Sequence, residues 1–160
     1  MSKVKVFCFG FGQVAKYFVK KIIKEKQALE INVSSRKKTH TLTFESLNLN
    51  SYEFNEEKID KNINTKIKDA DFILLSIPPI DDEDIVLKNF EEIIKKTKPK
   101  WITYLSATSI YGDHDGGWVD ETSETKPTSV SGMKRLKAEN RWLKFSNENN
   151  LPLQIFRLSG

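Results

Sequence analysis

The chain has 160 residues, 38% of them hydrophobic and 30% charged, which suits one domain with a core of its own. No apolar run approaches the ~20 residues of a membrane span, and the one cysteine, Cys8, excludes an internal disulfide. The net charge of +4, from 26 Lys and Arg against 22 Asp and Glu, is spread over helical patterns without a basic-aromatic stretch and gives no argument for a nucleic-acid partner.

The sequence enters a strand pattern within its first residues and shows no signal-peptide pattern, so a cytoplasmic, reducing setting is the expectation. Residues 4–9 form an apolar run broken only by Lys5 and predict a buried strand. The run ends in Gly10-x-Gly12-x-x-Ala15 and passes at once into a helical pattern over 14–23, with Val14, Tyr17, Phe18 and Ile22 as its expected apolar face. That is a dinucleotide fingerprint in its strand–turn–helix context. Gly10 permits the tight turn, Gly12 lets a pyrophosphate approach the backbone, and Ala15 lets the helix lie close on the strand. The first turn, with Gln13 and Val14, presents unpaired N–H groups to the phosphates.

Residues 29–34 alternate apolar and polar and predict a second strand. Residues 39–44 fit a short strand or the lead into a brief helix at 45–49, and 51–54 a third short strand. Residues 71–77 are the clearest buried strand, ended by Pro78-Pro79. The acidic run Asp81, Asp82, Glu83, Asp84 opens a helix predicted over 82–96 and reads as its cap rather than as a carboxylate site. A strand over 101–105 leads into a loop over 106–127, a length that points to function in a compact domain. Trp118 in that loop is either a lid or an anchor. A helix over 129–149, with Leu136, Trp142, Leu143 and Phe145 on its apolar face, precedes a last strand over 153–158.

Strands alternating with helices predict an α/β, doubly wound parallel sheet, an NAD(P)-binding Rossmann fold. Ligands of such sheets sit beyond the carboxyl ends of the strands. The expected cofactor residues are therefore Gly10, Gly12, Gln13, Val14, Ala15, Ser35, Arg36, Lys37, Ser76, Ile77 and Pro78. The second strand ends Val33-Ser34-Ser35-Arg36-Lys37-Lys38, with no carboxylate to accept a ribose 2′-OH. A hydroxyl pair followed by three cations suits a 2′-phosphate, which Arg36 can grip through two N–H groups. NADP is the expected cofactor and NAD the alternative. Asp113-His114-Asp115 is the only metal-like cluster, and three adjacent loop side chains rarely converge on one ion, so no metal is expected.

Three segments carry a family likeness: Tyr104-Leu-Ser-Ala-Thr-Ser-Ile-Tyr-Gly-Asp113, Trp118-Val-Asp-Glu121 and Pro127-Thr-Ser-Val-Ser-Gly-Met-Lys-Arg-Leu-Lys-Ala-Glu139. Together they resemble the atypical and extended short-chain dehydrogenase/reductase superfamily, the branch of NAD-dependent epimerases/dehydratases and nucleoside-diphosphate-sugar epimerases. The last strand, Phe156-Arg-Leu-Ser-Gly160, is similar to the start of that family's Arg-x-x-x-Ile-Tyr-Gly-Pro-Gly segment. The resemblance implies a Tyr acid/base, a Lys four residues later that lowers its pKa and holds the nicotinamide ribose, and a Ser or Thr that binds the substrate oxygen. Here the Tyr position is Ser131, the Lys position Arg135 and the hydroxyl position Ala107, flanked by Ser106 and Thr108. Serine has no pKa near working pH, and arginine cannot lose its proton. Arg135 could still bind the ribose or a phosphate and joins the cofactor candidates. Ser106, Thr108, Tyr111, Ser131 and Arg135 are the catalytic candidates.

Two readings follow. One is an NADP-binding domain of an epimerase, dehydratase or reductase acting on a nucleotide-sugar-like or small carbonyl or alcohol substrate. The other is a non-catalytic dinucleotide-binding sensor or scaffold that has lost the Tyr/Lys pair. On the resemblance, residues 1–160 are the cofactor half of a longer design without its substrate lobe. Neither a nucleic acid nor a membrane is an expected partner. A homodimer through the helices at 82–96 and 129–149 is, and Phe90, Trp142 and Phe145 serve either that contact or the core.

Overall fold

The computed structural model describes residues 3–25, 29–80 and 83–159. Seven strands form one sheet: β1 (Val4–Phe9), β2 (Leu29–Ser35), β3 (His40–Phe44), β4 (Leu47–Glu53), β5 (Phe72–Leu75), β6 (Trp101–Ala107) and β7 (Leu153–Leu158). Their order is β3-β4-β2-β1-β5-β6-β7, parallel throughout except for the edge strand β3, which pairs antiparallel with β4. The helices are α1 (Gln13–Lys24), α2 (Ile63–Lys68), α3 (Ile85–Thr97) and α4 (Val130–Asn149).

The order reverses direction at β1. Right-handed crossovers then place α1 on one face and the later helices on the other. The packing follows that rule. Val6, Cys8, Ile31, Val33 and Leu74 pack with Ala15 and Val19 of α1. Phe7, Phe9, Ile73, Leu75, Ile102 and Tyr104 pack with Ile63, Ile67, Phe90, Ile94 and Trp142 of the other three helices. Cys8 is fully buried, and burial pushes its thiol up to about 12, so it acts as a small apolar side chain.

Three sequence expectations change. Residues 39–54 form a β3–β4 hairpin with no helix at 45–49, and the strand expected at 51–54 is the end of β4. The helix α2 carried no usable signal because it is six residues long, too short to show a period. The buried stripe of α1 is Ala15 and Val19, whereas Val14, Tyr17 and Phe18 are exposed. The expected face was one position out of phase because the small Ala15 is where the helix meets the sheet.

Asp84 caps α3 by accepting from the backbone N–H groups of Val86 and Leu87, both at 3.0 Å. Glu83 pairs with Lys88. Asp81 and Asp82 lie outside the described residues. Phe90 and Trp142 are buried in the domain's own core, and Phe145 packs against Trp142. The surface groove between α3 and α4 is lined by Glu83, Lys88, Glu91, Arg141, Lys144 and Glu148 together with Leu87 and Phe145, so Phe145 also reaches that surface.

Candidate functional site

The carboxyl ends of β1, β2, β4 and β5 converge on a cavity of about 470 Å³. It is lined by Gly10, Phe11, Gly12, Ser34, Ser35, Arg36, Ser76, Ile77 and Pro78, together with Phe54, Asn55, Glu56, Ile80 and Ile85. At Gly10 φ is +86°, and a Cβ there would sit 3.1 Å from Ile77 Cγ1. A side chain would be strained by conformation and crowded by its neighbour. The backbone N–H of Gly10 donates to Ser34 Oγ at 3.0 Å, so the buried Ser34 ties the turn to the end of β2. Gly12 has open space where its Cβ would be, and it caps α1 without a side-chain bond. The first-turn N–H groups of α1 thus face the cavity mouth unscreened, the arrangement that attracts anionic groups.

Of the expected cofactor residues, Gly10, Gly12, Ser35, Arg36, Ser76, Ile77 and Pro78 line this one cavity. Gln13 and Val14 lie exposed in the first turn of α1, and Ala15 is buried beneath it. Lys37 borders a neighbouring cavity of about 300 Å³, with Phe11, Lys16, Ser35, His40 and Ser51. Among the described residues, Lys16, Arg36 and Lys37 make no ion pair, while Lys20, Lys58, Lys66, Lys88 and Lys100 do. Phe54, Asn55 and Glu56 were missed from the sequence, because only the tertiary order β4-β2-β1 brings the end of β4 beside β2.

The catalytic candidates divide into three groups. Tyr111 is buried, and its hydroxyl accepts from Arg157 Nη1 at 2.8 Å. Arg157 also donates from Nη2 to Glu139 at 3.0 Å and lies over the Tyr111 ring, 5.0 Å from its centroid. This cluster joins β7, α4 and the 106–127 loop, and no local pattern in the chain announces it. It holds the tyrosine hydroxyl against Arg157. Thr108 is half-buried in a 3-10 turn over Thr108–Ile110. Ser106, Ser131 and Arg135 gather where β6 meets α4.

That junction depends on Gly132. A Cβ there would lie 2.6 Å from the Ser109 carbonyl oxygen, so glycine lets the first turn of α4 seat on the 3-10 turn. Ser131 is exposed, with Oγ 3.3 Å from Ser129 Oγ. Arg135 reaches back and donates from Nη1 to the Leu105 carbonyl at 2.9 Å. Ser106 Oγ is buried without a hydrogen-bond partner among the described residues, and the buried Tyr104 hydroxyl lies beside Arg135. Burial raises the Tyr104 pKa, Asp84 adds to the effect, and Arg135 opposes it.

Trp118 is fully exposed, which overturns the reading of it as a hydrophobic anchor: it packs against nothing in the domain. His114 bonds through Nε2 to the Glu124 carbonyl, and Asp113 accepts from the Asp115 N–H, so the Asp113-His114-Asp115 side chains serve the loop. No group of three or more His, Cys, Asp or Glu among the described residues could hold a metal ion. No helix among them is long and apolar enough to cross a membrane.

No family model matches the sequence, and no curated protein matches it significantly. Solved structures do match. A functionally unknown conserved protein from Silicibacter pomeroyi shares 27% identity over 99% of this chain and 53% of its own, with a TM-score of 0.78. The UDP-glucuronic acid 4-epimerase of Bacillus cereus, solved in complex with NAD, shares 16% over 98% of this chain and 56% of its own, with a TM-score of 0.78. The UDP-N-acetylglucosamine 4-epimerase of Bacillus cereus shares 16% over 97% and 60%, with a TM-score of 0.74. This chain shares the α/β Rossmann-like fold of these structures. It spans a little over half the length of these structures. On the resemblance drawn from the sequence, Ser131, Arg135 and Ala107 stand at the positions expected to hold Tyr, Lys and a hydroxyl.

Proposed function

We propose that this chain is the dinucleotide-binding domain of an epimerase-, dehydratase- or reductase-like protein, and that it takes NADP(H) in preference to NAD(H). The observation that carries the reading is the uncapped start of α1 behind Gly10 and Gly12, opening into a cavity with Arg36 on its wall and no carboxylate at the end of β2. The donor set fits the group. N–H groups of the first turn of α1 would face the pyrophosphate, and Ser35 and Arg36 the adenosine ribose and its 2′-phosphate. Lys16 and Lys37 add positive charge beside them. Glu56 lines the same cavity and is the residue that could favour a free ribose hydroxyl instead. When bound, such a cofactor supplies a hydride donor or acceptor.

The test is calorimetric titration of the wild type and Arg36→Ala with NADPH and NADH. The expected result is tighter binding of NADPH. The variant should lose about 1.5–3 kcal/mol of binding to NADPH and little to NADH. Equal affinity for the two cofactors in the wild type removes the preference, and binding of neither removes the site.

The substrate of the catalytic reading is nucleotide-sugar-like or a small carbonyl or alcohol. A specific observation favours the second reading, a non-catalytic sensor or scaffold: Tyr111 is held by Arg157, and no other tyrosine follows it in the chain. Proton transfer by the superfamily's Tyr and Lys is then closed to this chain, a route typically worth about 10²–10⁴-fold in rate. Any turnover measured with NADPH and a carbonyl panel should survive Ser131→Ala; its loss on that substitution would make the serine hydroxyl a catalytic group and overturn this point.

A further inference from the structure

Two features take no part in the cavity at the glycine turn, and both hold apolar side chains out in water. The first is the tip of the 106–127 loop. Its neck closes where the Lys126 N–H donates to the Tyr111 carbonyl, and inside the neck His114 Nε2 bonds to the Glu124 carbonyl at 3.1 Å. Arg157 of β7 donates to the Glu121 carbonyl at 3.4 Å. Two tight turns shape the tip. The Gly117 N–H donates to the His114 carbonyl at 2.8 Å, and the Ser123 N–H to the Asp120 carbonyl at 3.2 Å. Trp118 and Val119 lie between these turns, and Trp118 is fully exposed. A tryptophan held out by an ordered loop adds nothing to its own domain's core. It has the make-up of an interface anchor whose ordering cost is met before any partner arrives.

The second feature is the apolar groove of about 540 Å³ on the α1 face of the sheet. Phe18, Trp101 and Phe156 on its walls are 39%, 43% and 44% exposed, where a parallel sheet is normally covered. One bank of the groove is α1. That helix carries Lys16, Lys20, Lys21 and Lys24 and no acid, and among the described residues only Lys20 of these four makes an ion pair. The loop has the opposite sign. Residues 113–125 hold Asp113, Asp115, Asp120, Glu121 and Glu124 and neither Lys nor Arg, in a chain whose net charge is +4.

The two features sit at opposite ends of one sheet edge. The loop follows the carboxyl end of β6 and is tied to Arg157 of β7. The groove opens on the other face of the sheet, with Phe156 of β7 and Trp101, the first residue of β6, in its wall. The edge strand here is β7. A twofold axis beside β7 and perpendicular to the strands sets the carboxyl end of one copy against the amino end of the other. Each loop then comes to the end of the other copy at which its groove lies, and the contact is made twice.

We propose that the groove is the docking site for a second copy of this chain. Trp118 of each copy enters the apolar groove of the other, and the acidic loop lies along the lysine bank of α1. Each inserted tryptophan buries on the order of 150–250 Å². Two such contacts fall at the low end of specific interfaces, so the dimer is weak and reversible.

The experiment is sedimentation of the chain from micromolar to millimolar concentration, in low and in high salt. The expected result is a monomer–dimer equilibrium that weakens as salt rises. Trp118→Ala should weaken it about thirtyfold or more. Phe18→Glu, which places a carboxylate in the groove from a partly exposed helix position, should do the same. An equimolar mixture of these two variants should form a heterodimer, weaker than the wild-type dimer, because it restores one of the two loop–groove contacts. A monomer at every concentration, association unchanged in Trp118→Ala, or association strengthened by salt overturns the proposal. Loss of association in Phe18→Glu but not in Trp118→Ala makes the contact groove on groove and overturns it too, as does a mixture that stays monomeric. A monomeric chain in which NADPH quenches the emission of wild type but not of Trp118→Ala makes the loop a lid instead. Should Phe18→Glu fail to fold, Phe156→Thr keeps a good strand former at the sheet edge, removes a groove wall, and should likewise weaken the dimer.

Discussion

At the scale of single residues, three glycines are fixed by what surrounds them. Gly10 and Gly132 are described above. Gly112 has φ +69°, and a Cβ there would lie 2.0 Å from the Lys126 carbonyl oxygen. It lets the two ends of the 106–127 loop touch, where the Lys126 N–H also donates to the Tyr111 carbonyl. Gly112→Ala should cost about 2 kcal/mol or more in urea unfolding, because it adds left-handed strain to a backbone clash. The Arg157–Glu139 pair makes a second prediction. Glu139 is 1% exposed, so Arg157→Met strands a buried carboxylate and should destabilise by about 3–5 kcal/mol. Replacing both partners, as Arg157→Met with Glu139→Leu, should recover much of that loss. A double variant no more stable than the single one would show that the charge is not what the arginine answers.

At the scale of elements, Asp84 joins two helices. One carboxylate oxygen caps α3, and the other accepts from Trp142 Nε1 of α4 at 2.9 Å. Asp84→Ala removes the cap, worth about 0.5–2 kcal/mol. It also leaves the buried indole N–H without an acceptor, worth about 1–3 kcal/mol. Burial raises the Asp84 pKa above its ordinary 3.8, against the pull of the hydrogen bonds from Leu87, Trp142 and Val86. The native state therefore binds this proton more tightly than the unfolded chain does. The contribution of the titration is fully present below the unfolded value and is lost as pH rises through the folded pKa. Relative to Asp84→Asn, which does not titrate, the wild type should gain stability as pH falls across that window. Urea melts of the two proteins from neutral pH to about 4 check it; a difference that shrinks on acidification contradicts the assignment. Glu30, Asp60, Asp71 and Asp120 are shifted down by their hydrogen bonds and push the whole-protein profile the other way, so the comparison with the variant is needed.

At the scale of the whole molecule, the sheet is covered unequally. α2, α3 and α4 cover one face, whereas on the other α1 lies over the centre. Beside it an apolar groove of about 540 Å³ runs from Phe18 and Ile22 past Phe72 and Trp101 to Phe156. Parallel sheets are normally buried on both faces, so this face is the least protected part of the fold. The cavity at the glycine turn draws its walls from four strands, and a ligand there stabilises the sheet as a unit. NADPH at about 100 times its Kd should add about 2.7 kcal/mol to the unfolding free energy. NADH at the same concentration should add less. Thermal unfolding with each cofactor reads this directly, and equal shifts would argue against the NADP preference.

The sequence by itself determined the parts that depend on neighbours along the chain. The glycine turn between strand and helix, the parallel α/β alternation, the cap at Asp84 and the missing carboxylate after β2 are all local patterns of side-chain size, period and charge. Tertiary structure decided what depends on residues far apart in the chain. The order β4-β2-β1 sets the end of β4 beside the end of β2, so Phe54, Asn55 and Glu56 reach the cavity, and no period within the segment reports that. Tyr111 looked free in its motif, and only the arrival of β7 gives it Arg157, 46 residues away. Trp142 and Phe90 looked equally fit for a core or an interface; the sheet face between them made them core. In each case the deciding energy is burial or pairing against a distant partner, and that partner's position is set by the fold rather than by the adjacent residues.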